Sequence, residues 1–598
     1  MMKSYFLVTN PNELTWKKKV NTLYLGEWCY NFQQSDLLNQ NDLVAKPYGI
    51  DLEVKNRDHE LLIKYKSLLL EKISFLLNDY HNTNFDNHFW KIVLGNWLER
   101  FIAVIINRFH TIQCCIESYN VTGSIFFESE DFDFVPKESR EIIFESNNDK
   151  LNSFIYQKVI EHLEVANFNF EFIPFQLNCS DFQSSIPDSK IVLKKKYSLK
   201  SLTRVILNKF CEKIVNVLSG IKNNNAPFII RSYLPFLETF KFHLLLGAIP
   251  REWHSPKIEI KKNIDYTFRN KLKTELSSSL TDKFEQFIFK FIPELLPMCF
   301  VENFKEYSSN EFTKKWPTNP RFIYTSNCFD TDEIFKIWAA KKSSQGIPFY
   351  IGQHGNNYGT YRYMSPSNEE EVADKFITWG WGKSNSKYKP AFIFKTVNIP
   401  SIYDKKGGLL LIEYPMPTRI HTWDVTFEFK LYWNEQVNLV KKLPIDIKNK
   451  LIIRLHQEYS LLNWHEVDRW HEIDNKLKIN RGQTPLNHLI SNSRLVVHSY
   501  DSTGIFETLS MNIPTLAFWQ GAYNHLNEES IQYYKILKDA GIIHFNYLDI
   551  SDKIISIWDD IDQWWFSDEI QTARQLFCNQ YAKVIDKPLV KLKQILED

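Results

Sequence analysis

The chain has 598 residues, 44% of them hydrophobic, 24% charged and 15% aromatic, a folded globular composition that excludes a disordered or low-complexity protein. With 72 basic against 71 acidic residues the formal charge is +1, so no overall field selects nucleic acid or another polyanion as partner. This length exceeds what one hydrophobic core serves and predicts two large domains, with room for a helical addition.

In chain order, YFLV (Tyr5–Val8) reads as a buried strand closed by an Asn-Pro turn at Asn10. HELLIKYKSLLLEKISFLL and NHFWKIVLGNWLERFIAVIINRF carry apolar residues at helical spacing and predict two long helices over 58–77 and 87–109. FIIRSYL, RFIYTSNCF, PFYIGQHGNNYG and KFITWGWG then read as strands, with a helix in DEIFKIWAAKKSSQG, and strand–helix–strand at this spacing implies a parallel sheet. The polar, proline-bearing stretch 384–406 marks the boundary. A second series follows in GGLLLIEYP, LIIRLH, LVVHS and IPTLAFW, and the tail from SDKIISIWDDIDQWW onward reads as helical. The expected fold class is therefore α/β: two Rossmann-like, doubly wound domains facing a cleft, residues 1–400 with a helix-rich insertion and residues 401–598 with C-terminal helices.

The eight cysteines are scattered without CxxC pairs, which predicts reduced thiols and a cytoplasmic setting. The first residues lack an apolar signal core, and no run reaches the about 18 apolar residues that span a bilayer. Lys17–Lys19 and Lys194–Lys196 are basic runs that read as solvated faces, with peripheral contact to an anionic membrane as the alternative.

In open α/β sheets, ligands bind beyond the carboxyl ends of the strands. Three such ends in the C-terminal domain bear polar groups: Glu413, the pair Arg454 and His456, and the turn Ser499–Thr503 that opens a helix with Gly504. A helix start rich in small hydroxyl residues offers free N–H groups and the positive dipole end to an anion. Glu507, one turn inside, suits a vicinal hydroxyl pair, and phosphate plus ribose points to a nucleotide. Arg454 or His456 would neutralise the phosphate without a metal ion. In the N-terminal domain His354 ends an apolar strand within a Gly355, Asn356, Asn357 turn, placing an acid/base candidate on the acceptor side together with Asn10.

The motifs LYLGEWC, HFWKIVLGNWL, FKIWAAKKSSQGIPFYIGQHGNNYG, FITWGWG, RLH, FETLSMNIPTLAFW and DDIDQWW resemble the transferases encoded in bacterial O-antigen and surface-polysaccharide gene clusters, over nearly the whole chain. The HG turn, the basic-His strand end and the hydroxyl turn are further similar to GT-B enzymes with CMP- or CDP-activated donors: the Kdo and sialyl transferases, and the polyol-phosphate polymerases of teichoic acid synthesis. That resemblance implies His354 as base or acceptor ligand and Arg454, His456, Ser502 and Thr503 as nucleotide-phosphate ligands. It implies a lipopolysaccharide or other surface-glycan pathway, with a nucleotide-sugar co-substrate, CMP-linked in the Kdo-like case, as the only cofactor and a glycan or lipid-linked glycan as acceptor. Gln457 departs from the proline that those enzymes carry after the second histidine.

The alternatives are a CDP-polyol or glycerol phosphotransferase and a non-catalytic nucleotide-sugar-binding protein. The DxD pairs Asp131/Asp133, Asp330/Asp332 and Asp560/Asp562 read as loop or helix-surface acids, and no HExxH occurs, so no metal is expected.

Overall fold

The computed structural model describes residues 3–30, 32, 34, 42–174, 224–260, 263–277, 280–383, 387–419 and 428–598; the Lys194–Lys196 run and two cysteines, Cys179 and Cys211, lie outside them. Its frame is three parallel sheets. The first has the order β3-β2-β1-β4-β5, built from β1 (Ser4–Val8), β2 (Thr22–Tyr24), β3 (Leu43–Val44), β4 (Asn120–Phe127) and β5 (Asn169–Ile173). The second runs in sequence order through β6 (Phe228–Ile230), β7 (Ile323–Thr325), β8 (Phe349–Gly352), β9 (Lys375–Thr378) and β10 (Tyr388–Pro390). The third holds β11 (Gly408–Ile412), β12 (Leu451–Arg454), β13 (Lys478–Asn480), β14 (Ser493–His498), β15 (Thr515–Phe518) and β16 (Ile543–His544), in the order β13-β12-β11-β14-β15-β16.

The α/β class with parallel sheets is as expected. Residues 1–400, however, hold two sheets, where the sequence led to one sheet with a helical insertion. The two predicted helices are present as α1 (Leu52–His81) and α2 (Asn87–Ser118), and α2 also reaches the second sheet's layer, with Asn96 donating to Glu369 at 2.9 Å and Arg100 paired with Asp330. Asp51 caps α1 by accepting from Glu53 and Val54 N–H groups, Asn82 in the left-handed region at φ 53° ends it, and Asp86 restarts the chain by capping α2. Trp90 and Trp97 on α2 are fully buried, so this helix is interior on most of its circumference.

In the third sheet the apolar runs are buried on both faces, as a helix-covered parallel sheet requires. Leu409, Leu411, Ile453, Leu495 and Val497 enter one core, while Leu410, Ile412 and Val496 enter another across the sheet, a period of two along each strand. The strand order reverses between β11 and β14, which opens a crevice beyond their carboxyl ends. There α3 (Thr503–Ser510) starts, and α4 (Glu528–Asp539) follows β15.

The tail does not stay with the third sheet. After α5 (Asp568–Tyr581), Lys583 N–H donates to Trp379 O at 2.8 Å and Ile393 N–H donates to Lys583 O at 2.9 Å. Then α6 (Pro588–Glu597) lies against the second sheet's layer, with Lys375 Nζ on Ile595 O at 2.8 Å and Arg321 paired with Glu597 at 3.1 Å. Among the described residues no helix is long and apolar enough to cross a membrane.

Candidate functional site

A cleft of about 480 Å³ lies where the loop after β8 meets the loop after β14. Asn356 and Asn357 line it from the N-terminal half, and His456, Ser502, Thr503, Gly504 and Glu507 from the C-terminal half. The site that the sequence pieced together from both halves is therefore largely one place.

Its floor is the start of α3. Ser502 is the N-cap in extended conformation, yet no side chain caps this helix. Its hydroxyl instead meets His498 Nδ1 at 3.1 Å, beneath the first turn. Burial pushes the His498 imidazole down to about 3, so it is neutral, and its Nε2 has no partner among the described residues. Gly504 is required by that ring, because a Cβ there would stand 2.6 Å from His498 Cε1. The hydroxyl of Thr503 donates to Asn356 Oδ1 at 3.2 Å and accepts from the Asn356 N–H at 3.2 Å, tying the halves together. Glu507 is held by Lys395 at 2.9 Å, so one of its oxygens is already engaged. The uncapped amide end of α3 is left as the anion-attracting element of the cleft.

Arg454 sits at the end of β12. Its Nη2 makes a long contact to Gly482 O at 3.4 Å, while Nε and Nη1 are buried with no acceptor among the described residues. Burial lowers its pKa against the pull of Tyr500, a residue that lines the cleft. His456, two residues on, lines the cleft, which Arg454 itself does not; burial lowers the His456 pKa, Glu458 opposes that and Arg454 reinforces it. A guanidinium with two idle nitrogens is an energetically costly arrangement unless an anion completes it.

Besides Arg454 and Gly355, four expected residues do not line the cleft. Glu413 is buried with Oε1 accepting from Trp470 Nε1 at 3.0 Å, and burial, then Glu466, pushes its carboxyl well up. Ser499 is fully buried against the Tyr432 hydroxyl at 2.7 Å. Asn10 is fully buried and shapes its own turn by accepting from Asn12 N–H at 2.9 Å; its neighbour Pro11 lines a separate crevice with Thr418 and Leu461. His354 lines neither the cleft nor the cavity beside it. Its ring is set among Tyr233, Phe329 and Tyr358, and its Nδ1 is 3.3 Å from the Tyr358 hydroxyl. Burial pushes it down to about 4 against the pull of Asp330, with Lys395 and Arg100 acting in the same direction as burial.

The profile of a family described as LIC12162 family transferase matches residues 5–596. The chain belongs to the LIC12162 transferase family. No curated protein matches it by sequence. Solved structures similar to this LIC12162-family chain include the spinosyn rhamnosyltransferase SpnG complexed with spinosyn aglycone, at 10% identity and a TM-score of 0.31 over 62% of this chain and 100% of that one. Acinetobacter baumannii MurG matches at 10% identity and 0.31, over 62% and 99%. The S. aureus MnaA-UDP structure matches at 12% and 0.34, over 62% and 95%.

The LIC12162-family site contains groups that the sequence did not single out. Asp501, inside the Ser499–Thr503 turn, and His525, in the polar loop after β15, are both buried and 3.1 Å apart. Their pairing is spatial, and no spacing in the sequence signals it. A second cavity of about 260 Å³ adjoins the cleft and shares Asn357, Tyr361 and His525 with it. Its remaining wall mixes Val104, Ile142 and Met364 with Asn96, Arg100 and Glu369. Glu369 accepts from Asn96 at 2.9 Å and from the Tyr358 hydroxyl, and burial pushes it up to about 7. The DxD acids have local duties: Asp330 pairs with Arg100, Asp332 and Asp560 cap helices, and Asp131 binds Lys158 and Lys273. Among the described residues no group of three or more His, Cys, Asp and Glu is placed to hold a metal ion.

Proposed function

We propose that this transferase is a GT-B-like glycosyltransferase whose nucleotide-sugar donor lies against the third sheet, with its phosphate at Arg454 and the amide end of α3. The observation that carries this reading is the half-buried Arg454, whose Nε and Nη1 are buried and unsatisfied and which interacts with Tyr500 of the turn leading to the uncapped start of α3, at a topological switch point. Glu507 and His456 then face the ribose and the second phosphate oxygen. The 260 Å³ cavity, half apolar and half polar, takes the acceptor end of a glycan or lipid-linked glycan. The departing phosphate is stabilised where charge develops, by the helix end and the guanidinium, and the contacts between the halves keep water from the donor.

Kdo-like sugars on CMP are the donor class favoured by the basic-His strand end of β12, within a surface-polysaccharide pathway in the cytoplasm. Thermal shifts with CMP, CDP, UDP and GDP test the site, because a ligand at about 100 times its Kd adds about 2.7 kcal/mol to native stability. One base is expected to raise the melting temperature, and R454Q to abolish the rise. A panel without any shift, or an R454Q protein with wild-type affinity, rejects the site. Mass analysis of the product separates sugar transfer from the polyol-phosphate alternative.

A further inference from the structure

The cleft and its neighbouring cavity meet at three side chains, Asn357, Tyr361 and His525. An acceptor hydroxyl in the second cavity has to reach a donor carbon in the first across this seam, and of the three side chains only the imidazole carries a basic nitrogen that can take up its proton. The surroundings of His525 are those of an oriented base. Its Nε2 contacts Asp501 Oδ2 at 3.1 Å, and that carboxylate also accepts from the Tyr534 hydroxyl at 2.8 Å and from Asn356 Nδ2 at 3.2 Å. A carboxylate only accepts, so Nε2 carries the proton and Nδ1 bears the lone pair. Among the described residues no hydrogen bond engages Nδ1. The ring is walled edge-on by Tyr361 at 5.0 Å and Trp519 at 5.8 Å, and its backbone carbonyl accepts from Arg362 N–H at 2.8 Å.

We propose that His525 is the catalytic base of transfer and Asp501 the residue that positions it, in place of the His354 that the sequence favoured. This rests on the donor-cleft reading above. In the step, the acceptor oxygen bonds to the donor's anomeric carbon and its proton passes to His525 Nδ1. The bond from that carbon to the phosphate oxygen breaks, and its electron pair leaves with the nucleotide.

The test measures nucleotide affinity and nucleotide release from sugar nucleotides, with acceptor present, between pH 5 and 9 for the wild type, H525Q, D501N and H354Q. Titratable and charged groups around the seam are Asp501 and Tyr361 in contact with the ring, Tyr534 on Asp501, Lys395, Glu507 and His456 in the cleft, and Glu99, Arg100 and Glu369 in the second cavity. H525Q is expected to bind nucleotide within about threefold of wild type while release falls about 100-fold or more and the acidic limb of the rate profile disappears. D501N, nearly isosteric, is expected to keep the fold and nucleotide affinity and to slow release at least about tenfold. H354Q is expected to keep the acidic limb. Near-wild-type turnover in H525Q, or loss of nucleotide affinity in step with the rate, overturns the assignment while leaving the donor site standing. A wild-type protein that binds none of the nucleotides removes the donor reading, and this proposal with it.

Discussion

Arg454 and His498 both leave buried nitrogens without acceptors, and the difference in charge separates their roles. Arg454 stays cationic, so its idle nitrogens demand an anion; His498 escapes the cost by staying neutral, at about 3. Its folded pKa lies below the unfolded value of about 6.5, so the unfolded chain takes up a proton that the folded one refuses. Stability from this residue is complete above about pH 6.5 and is lost as pH falls toward about 3, by about 2 kcal/mol between pH 7 and 5. Glu369 and Glu466, both raised to about 7 by burial, act in the opposite sense and lose stability as pH rises from about 4.5 to 7. The histidine's share is therefore read as a difference: the drop in melting temperature from pH 7 to pH 5 is expected to be smaller in H498N than in the wild type. Equal drops would mean that His498 is already protonated in the fold.

At the level of elements, strand parity sorts the candidates. Leu409 and Leu411 face one core and so does Glu413, which finds the Trp470 indole there; Leu495 and Val497 face it too, and Ser499 follows them to Tyr432. Ile453 and Leu455 point the same way, which turns Arg454 and His456 to the opposite side, where His456 reaches the cleft wall. The α3 turn, the β8 end and the strands of the third sheet's centre were legible because apolar runs and turn residues mark them. Most of the first sheet was not: β2 and β3 are 3 and 2 residues long, and β4, with Asn120, Thr122 and Gly123, lacks a clean apolar run. His525 was invisible because its partner comes from another loop. Gly504 belongs to this scale as well. G504A puts a methyl group into the His498 ring, and a loss of about 1–3 kcal/mol in denaturant unfolding is expected; an unchanged midpoint would show that the ring moves freely.

Across the whole molecule, the halves share one hydrophobic core, to which Phe506, Trp519 and Tyr534 contribute with Tyr358 and Tyr361, and polar contacts add to it. Lys395 pairs with Glu507, Asn356 with Thr503, and Tyr361 bridges to Leu526 while Asn527 N–H donates to Thr360 O at 2.8 Å. The Lys395–Glu507 pair is partly exposed, so a double-mutant cycle with K395M and E507Q is expected to return a coupling of about 0.2–1 kcal/mol. A chain shortened by α6 is expected to melt earlier, because Leu592, Ile595 and Leu596 leave their buried positions. The polypeptide passes between the halves twice, once beyond Phe394 and once back before Lys583, and the two passages touch through Ile393 and Lys583. Passages laced side by side tie the crossings to each other, and the halves are fastened again at a distance in sequence from them, where Arg419 pairs with Asp149 at 2.7 Å and the Lys430 N–H donates to Glu27 at 3.0 Å.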